Sequence, residues 1–123
     1  MLKDRKVYIN GKFVERDQAN VHLMSHSFAR GSAIFEVISF HRTERGPAVF
    51  RLDEHVNRLF GTGDLLFMEL PLSKQATQEA VLETVKRNHL EKGFIKLVCY
   101  YGEIAFEVKP PKRALDMCIV AVD

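Results

Sequence analysis

The chain has 123 residues, 46% of them hydrophobic and 28% charged, with a formal net charge of +2. That length supports one domain with a real core, and the balance is that of an ordinary soluble globular protein. The scattered basic residues argue against a nucleic-acid surface, and no apolar run is long enough to cross a bilayer as a helix.

Residues 7–15 predict a short hairpin, in which Val7-Tyr8-Ile9 and Phe13-Val14 flank the tight-turn pair Asn10-Gly11. Residues 20–32, with His22, His26 and Arg30-Gly31, read as an irregular connection holding one helical turn. Residues 33–41 are rich in strand formers, Thr43 to Pro47 makes a turn, and Ala48-Val49-Phe50 returns as the partner strand. A helix follows, with Asp53 read as its N-cap. Leu52, Val56, Leu59, Gly63 and Leu66 form an apolar stripe at helical spacing; Arg51, His55, Arg58 and Thr62 form a polar one. A second helix is expected over residues 73–88 with Ser73 as N-cap. Strands over 94–101 and 117–122 complete the chain, joined by a proline-containing polar loop that carries Lys109, Lys112 and Arg113.

Helices do not alternate with strands here. The order predicts an α+β fold, a mostly antiparallel sheet with two helices packed on one face, as one domain over residues 1–123. Cys99 and Cys118 lie in apolar runs without metal-type spacing. They are read as two buried free thiols of a reducing compartment, and no metal is expected. Residues 1–6 lack the following apolar run of a secretory leader, so a cytoplasmic location is expected.

Several stretches recur in a known order. They are Val7-Tyr8-Ile9-Asn10-Gly11, Val21-His22-Leu23-Met24-Ser25-His26, Gly31-Ser32-Ala33-Ile34-Phe35-Glu36, Gly46-Pro47-Ala48-Val49-Phe50-Arg51, Glu54-His55-Val56-Asn57-Arg58-Leu59 and Val108-Lys109-Pro110-Pro111. Over nearly the whole chain this order resembles the N-terminal domain of the fold-type IV pyridoxal phosphate (PLP) enzymes, and within them the branched-chain aminotransferases. The resemblance implies amino-group transfer between an amino acid and a 2-oxo acid, with PLP as cofactor, in a homodimer. It implies that Arg58 binds the cofactor phosphate, a role that suits a guanidinium fork. It also implies a substrate wall built from Phe35, Arg30, Phe94 and Lys96.

Two positions depart from the family pattern. Arg30 stands where branched-chain enzymes carry an aromatic before the glycine. Phe94 and Lys96 stand where the family often has tyrosine and arginine, so a hydroxyl donor and a planar fork are both lost. By strand alternation Glu36 faces away from Phe35. Taken without the resemblance, Arg58 reads as a solvated helix residue, Phe35 as core, and Lys96 as an edge-strand lysine reaching water. A bolder reading makes Lys96 the amine that attacks an aldehyde. In the family the lysine that carries the cofactor belongs to a C-terminal domain, beyond residue 123. The chain is therefore expected to hold no catalytic residue and to be inactive alone. The competing reading is a non-catalytic truncated homologue that self-associates through apolar surface.

Overall fold

The computed structural model describes residues 3–123. Met1 and Leu2, the start of the segment read above for a leader, lie outside the described residues. Six strands form one sheet in the order β2-β1-β6-β5-β3-β4, with every neighbouring pair antiparallel. They are β1 (Lys6–Ile9), β2 (Lys12–Glu15), β3 (Ala33–Thr43), β4 (Gly46–Val49), β5 (Gly93–Tyr100) and β6 (Asp116–Val122). The helices are α1 (His26–Arg30), α2 (Leu52–Leu65) and α3 (Lys74–Arg87). The expected architecture is thus observed, with the anticipated single turn in the 20–32 connection appearing as α1.

Alternation along the strands divides the sheet into two faces. On one, Ile38, Phe40, Ile95, Leu97, Met117 and Ile119 are fully buried beneath α2 and α3, which supply Val56, Leu59 and Val81. Burying each such side chain contributes about 1.5–3 kcal/mol, and this face is the core. The other face carries Phe35, Val37 and Phe94, each about half exposed, while residues of the 16–28 segment lie against its other end, where Val7 and Tyr100 are buried. Phe35 is 57% exposed, so it is not the core residue that its apolar character alone predicts. No helix of the described chain is long and apolar enough to cross a membrane.

Helix ends follow local chemistry. Ser73 caps α3 by accepting from the Ala76 N–H at 3.1 Å, as expected. α2 differs, because its N-cap is Arg51, in the left-handed region at φ 52° and without a side-chain cap. Asp53 sits two positions past that cap, in the first turn, where it and Glu54 face the positive end of the helix dipole. Sequence pattern does not separate these two uses of an acidic residue. At the other end Leu66 is half exposed and leaves the apolar stripe, whereas Val56, Leu59 and Gly63 stay buried.

β4 pairs with β3 only from Phe40 to Thr43. The outer edge of residues 33–38 therefore has no strand partner among the described residues. This free rim, beside α2, is where the two faces of the sheet meet.

Candidate functional site

β3 places Phe35 and Glu36 on opposite faces. Glu36 points to the helix side and is 5% exposed, in a row with Ile34, Ile38 and Phe40. A carboxylate in such a row needs hydrogen-bond donors beside it. α2 provides them one turn apart. Arg58 donates through Nε to both carboxylate oxygens, at 3.1 and 3.0 Å, and through Nη2 to Oε1 at 2.7 Å. His55 Nδ1 lies 2.7 Å from the same Oε1. The acceptor is a carboxylate, so Nδ1 carries the proton.

Burial pushes the Glu36 carboxyl up, but the hydrogen bonds and charges of Arg58 and His55 outweigh it and hold it below the ordinary value. The hydrogen bonds to Glu36 in turn raise Arg58 above its ordinary value. The Arg58 side chain is 68% exposed even so, and Nη1 makes no hydrogen bond among the described residues. Arg51, Glu54, His55 and Arg58 line a shallow concavity of about 290 Å³. Arg51 is engaged by Glu54 at 2.9 Å. The two arginines and the two carboxylates, Glu36 and Glu54, cancel in formal charge. An anion would be held here by direct contact with the free edge of Arg58, with little help from a net positive field.

The polar stripe of α2 read from sequence is therefore the wall of a real concavity. Glu36, which anchors it, was not singled out from sequence. The signal was present: a lone carboxylate at a core-facing position of a strand, with Arg58 and His55 one helical turn apart.

The remaining expected site residues lie elsewhere. Phe35, Lys96 and Phe94 share the open sheet face, where the Lys96 ammonium stands 5.1 Å from the centre of the Phe35 ring, within cation–π range. Phe94 lies further along, opposite Ser39 in register, while Phe35 is opposite Val98. β5 is paired on both sides, so Lys96 reaches water from a face of the sheet and not from an edge strand. Arg30, at the end of α1, donates through Nη2 to the Phe106 carbonyl at 3.0 Å. Arg58 is on the helix side, joined to the open face only around the rim of β3.

A larger apolar concavity of about 440 Å³ occupies the open face, where Val7, Ile9, Val98 and Val120 form its floor and Phe28 its side. Cys118 lines it and is half-buried; only Cys99 is fully buried, and both are free thiols, so the expectation of two buried thiols holds for one. His26 is a satisfied buried histidine. Nδ1 is 2.6 Å from Ser32 Oγ, and Nε2 is 2.7 Å from the Val108 carbonyl. No group of three or more potential metal ligands occurs among the described residues.

No protein-family model matches the chain. It is 31% identical over 100 residues to the branched-chain-amino-acid aminotransferase of Pseudomonas aeruginosa, covering 81% of this chain and 33% of that protein. To the corresponding enzyme of Salmonella typhimurium it is 30% identical over 115 residues, covering 94% and 37% respectively. The chain thus spans about a third of the length of the curated relatives it matches. Among solved structures, the branched-chain amino acid aminotransferase of Escherichia coli superimposes with a TM-score of 0.92 at 30% identity, over 98% of this chain and 41% of that one. A second branched-chain amino acid aminotransferase, from T.th. and solved in complex with N-(5'-phosphopyridoxyl)-L-glutamate, gives a TM-score of 0.92 at 33% identity with the same coverage. Sequence and fold agree: over about a third to two fifths of their length, the chain is similar to the branched-chain aminotransferases.

Proposed function

We infer that residues 1–123 form the phosphate-anchoring domain of a PLP-dependent aminotransferase, which moves an amino group between an amino acid and a 2-oxo acid. One observation carries this reading: Arg58 is gripped by buried Glu36 and keeps an uncommitted guanidinium edge beside an open concavity. That donor edge fits an anionic phosphate oxygen. Solved relatives are described with a phosphopyridoxyl ligand or with pyridoxamine 5'-phosphate, which agrees with PLP as the cofactor.

Bound PLP supplies the electron sink for amino-group transfer. This chain's own residues bind and orient. Arg58 holds the phosphate. Phe35 and Phe94 present apolar surface, and Lys96 presents a cation to a substrate carboxylate. Arg30, tied to the Phe106 carbonyl, braces the loop next to α1. The lysine that carries the cofactor comes from a further domain, and the exposed apolar face of the sheet supports a second layer there. A homodimer in the cytoplasm, without nucleic-acid or membrane partners, completes the proposal.

The test is turnover by the 123-residue chain supplied with PLP, a branched-chain amino acid and a 2-oxo acid. We expect none above background, and only weak PLP retention, because one phosphate contact rarely offsets the entropy lost on binding. Robust turnover, with borohydride trapping cofactor on Lys96, would overturn this division of labour. The exposed apolar face also favours a second reading, a self-associating module without chemistry. That reading gains if the chain forms stable dimers and Arg58→Ala leaves phosphate binding unchanged.

A further inference from the structure

Glu36 does nothing for the core as such. Its neighbours on the strand face, Ile34, Ile38 and Phe40, are apolar and buried, and a carboxylate among them is desolvated. All of its hydrogen bonds go to two residues of the concavity, Arg58 and His55. We propose that Glu36 is a positioning residue of the phosphate site, a reading that rests on Arg58 being the phosphate ligand. Its carboxylate pins Nε and Nη2 of Arg58, so that the Nη1 edge stays presented to the anion, and it orients His55 by accepting a hydrogen bond from the Nδ1–H.

The geometry supports this division of atoms. An exposed arginine has many rotamers, and an anion must immobilise one of them on binding. Here the immobilisation already exists, made from the buried side by three contacts of 2.7 to 3.1 Å. The negative charge of Glu36 acts the other way and repels phosphate. Arg58 stands between the two anions and is largely in water, which screens that repulsion. Orientation and repulsion leave different signatures, because only orientation requires Arg58.

The test uses the 15N-labelled 123-residue chain with inorganic phosphate and then PLP as probes. The Arg58 Nε–H signal, identified by its loss in Arg58→Ala, should be visible and slow to exchange in the parent protein and broadened in Glu36→Gln. Preformed side-chain order of this kind predicts that Glu36→Gln weakens phosphate binding about fivefold when Arg58 is present, and less than about twofold in the Arg58→Ala background. Glu36→Asp keeps the charge but shortens the reach, so it should weaken binding in the same direction. The neutral amide is easier to bury than the carboxylate, and Arg58 can turn to water, so Glu36→Gln should fold. An unchanged Nε–H signal, or tighter phosphate binding in Glu36→Gln with Glu36→Asp like the parent, would overturn the positioning role. If Arg58→Ala leaves phosphate binding intact while Glu36→Gln still broadens the Arg58 signal, the phosphate reading itself fails and the positioning role falls with it.

Discussion

Gly61 and Gly63 lie two residues apart in α2, the helix that carries His55 and Arg58, yet alanine at the two positions should act in opposite directions. In a helix interior alanine is favoured over glycine by about 0.8–1.0 kcal/mol, because it loses less backbone freedom on folding. A Cβ at Gly61 meets nothing within 4 Å. The whole gain is then realised, about 1 kcal/mol or about 4 °C in Tm for a domain of this size. A Cβ at Gly63 would lie 2.6 Å from Leu70 Cδ1 and 3.2 Å from the Met68 carbonyl oxygen. Leu70 packs on the core, and the Met68 backbone is tied back by its N–H to the Gly63 carbonyl at 2.9 Å. Neither can withdraw without disturbing a neighbour. Overpacking costs about 1–3 kcal/mol, so after the propensity gain Gly63→Ala should be destabilised by roughly 0–2 kcal/mol. The two variants should differ by about 1–3 kcal/mol in urea unfolding followed by circular dichroism, with unchanged m values. Equal stabilisation by both substitutions would show that the Met68–Leu70 turn yields freely, and that close approach at Gly63 does not hold that turn against α2.

Two further outcomes follow from the titrating groups. Glu36 is held below the ordinary 4.5 in the folded chain, so its contribution to stability is complete above about pH 4.5 and is lost as pH falls through the lower folded value. The stability of the parent relative to Glu36→Gln should therefore be greater at pH 7 than at pH 3 in paired urea melts; a difference that does not change with pH would contradict this. Burial pushes the Cys99 thiol up to about 12, and it raises Cys118 as well, though Cys118 is only half-buried on the open face. Alkylation at pH 8, read by mass spectrometry, should modify Cys118 well before Cys99, and the reverse order would show that the sheet opens from the helix side.

Much of this protein was decided locally and could be read from the chain. The Asn10-Gly11 turn, the Ser73 cap, the alternation of 33–41 and the helical stripe Leu52, Val56, Leu59, Gly63 depend on neighbours close in sequence, so their spacing alone predicts hairpin, helix and strand. Alternation likewise separated Phe35 from Glu36. What spacing does not encode is which elements meet. Only the pairing of β3 with β5, and the packing of α2 against β3, bring Glu36 to Arg58 across 22 positions and Lys96 to Phe35 across the sheet. The same tertiary choice left Phe35 on an uncovered face and sent Arg30 to a backbone carbonyl. A side chain's periodicity tells which way it points; its charge partner is set by elements distant in sequence, through desolvation that no local window of residues records.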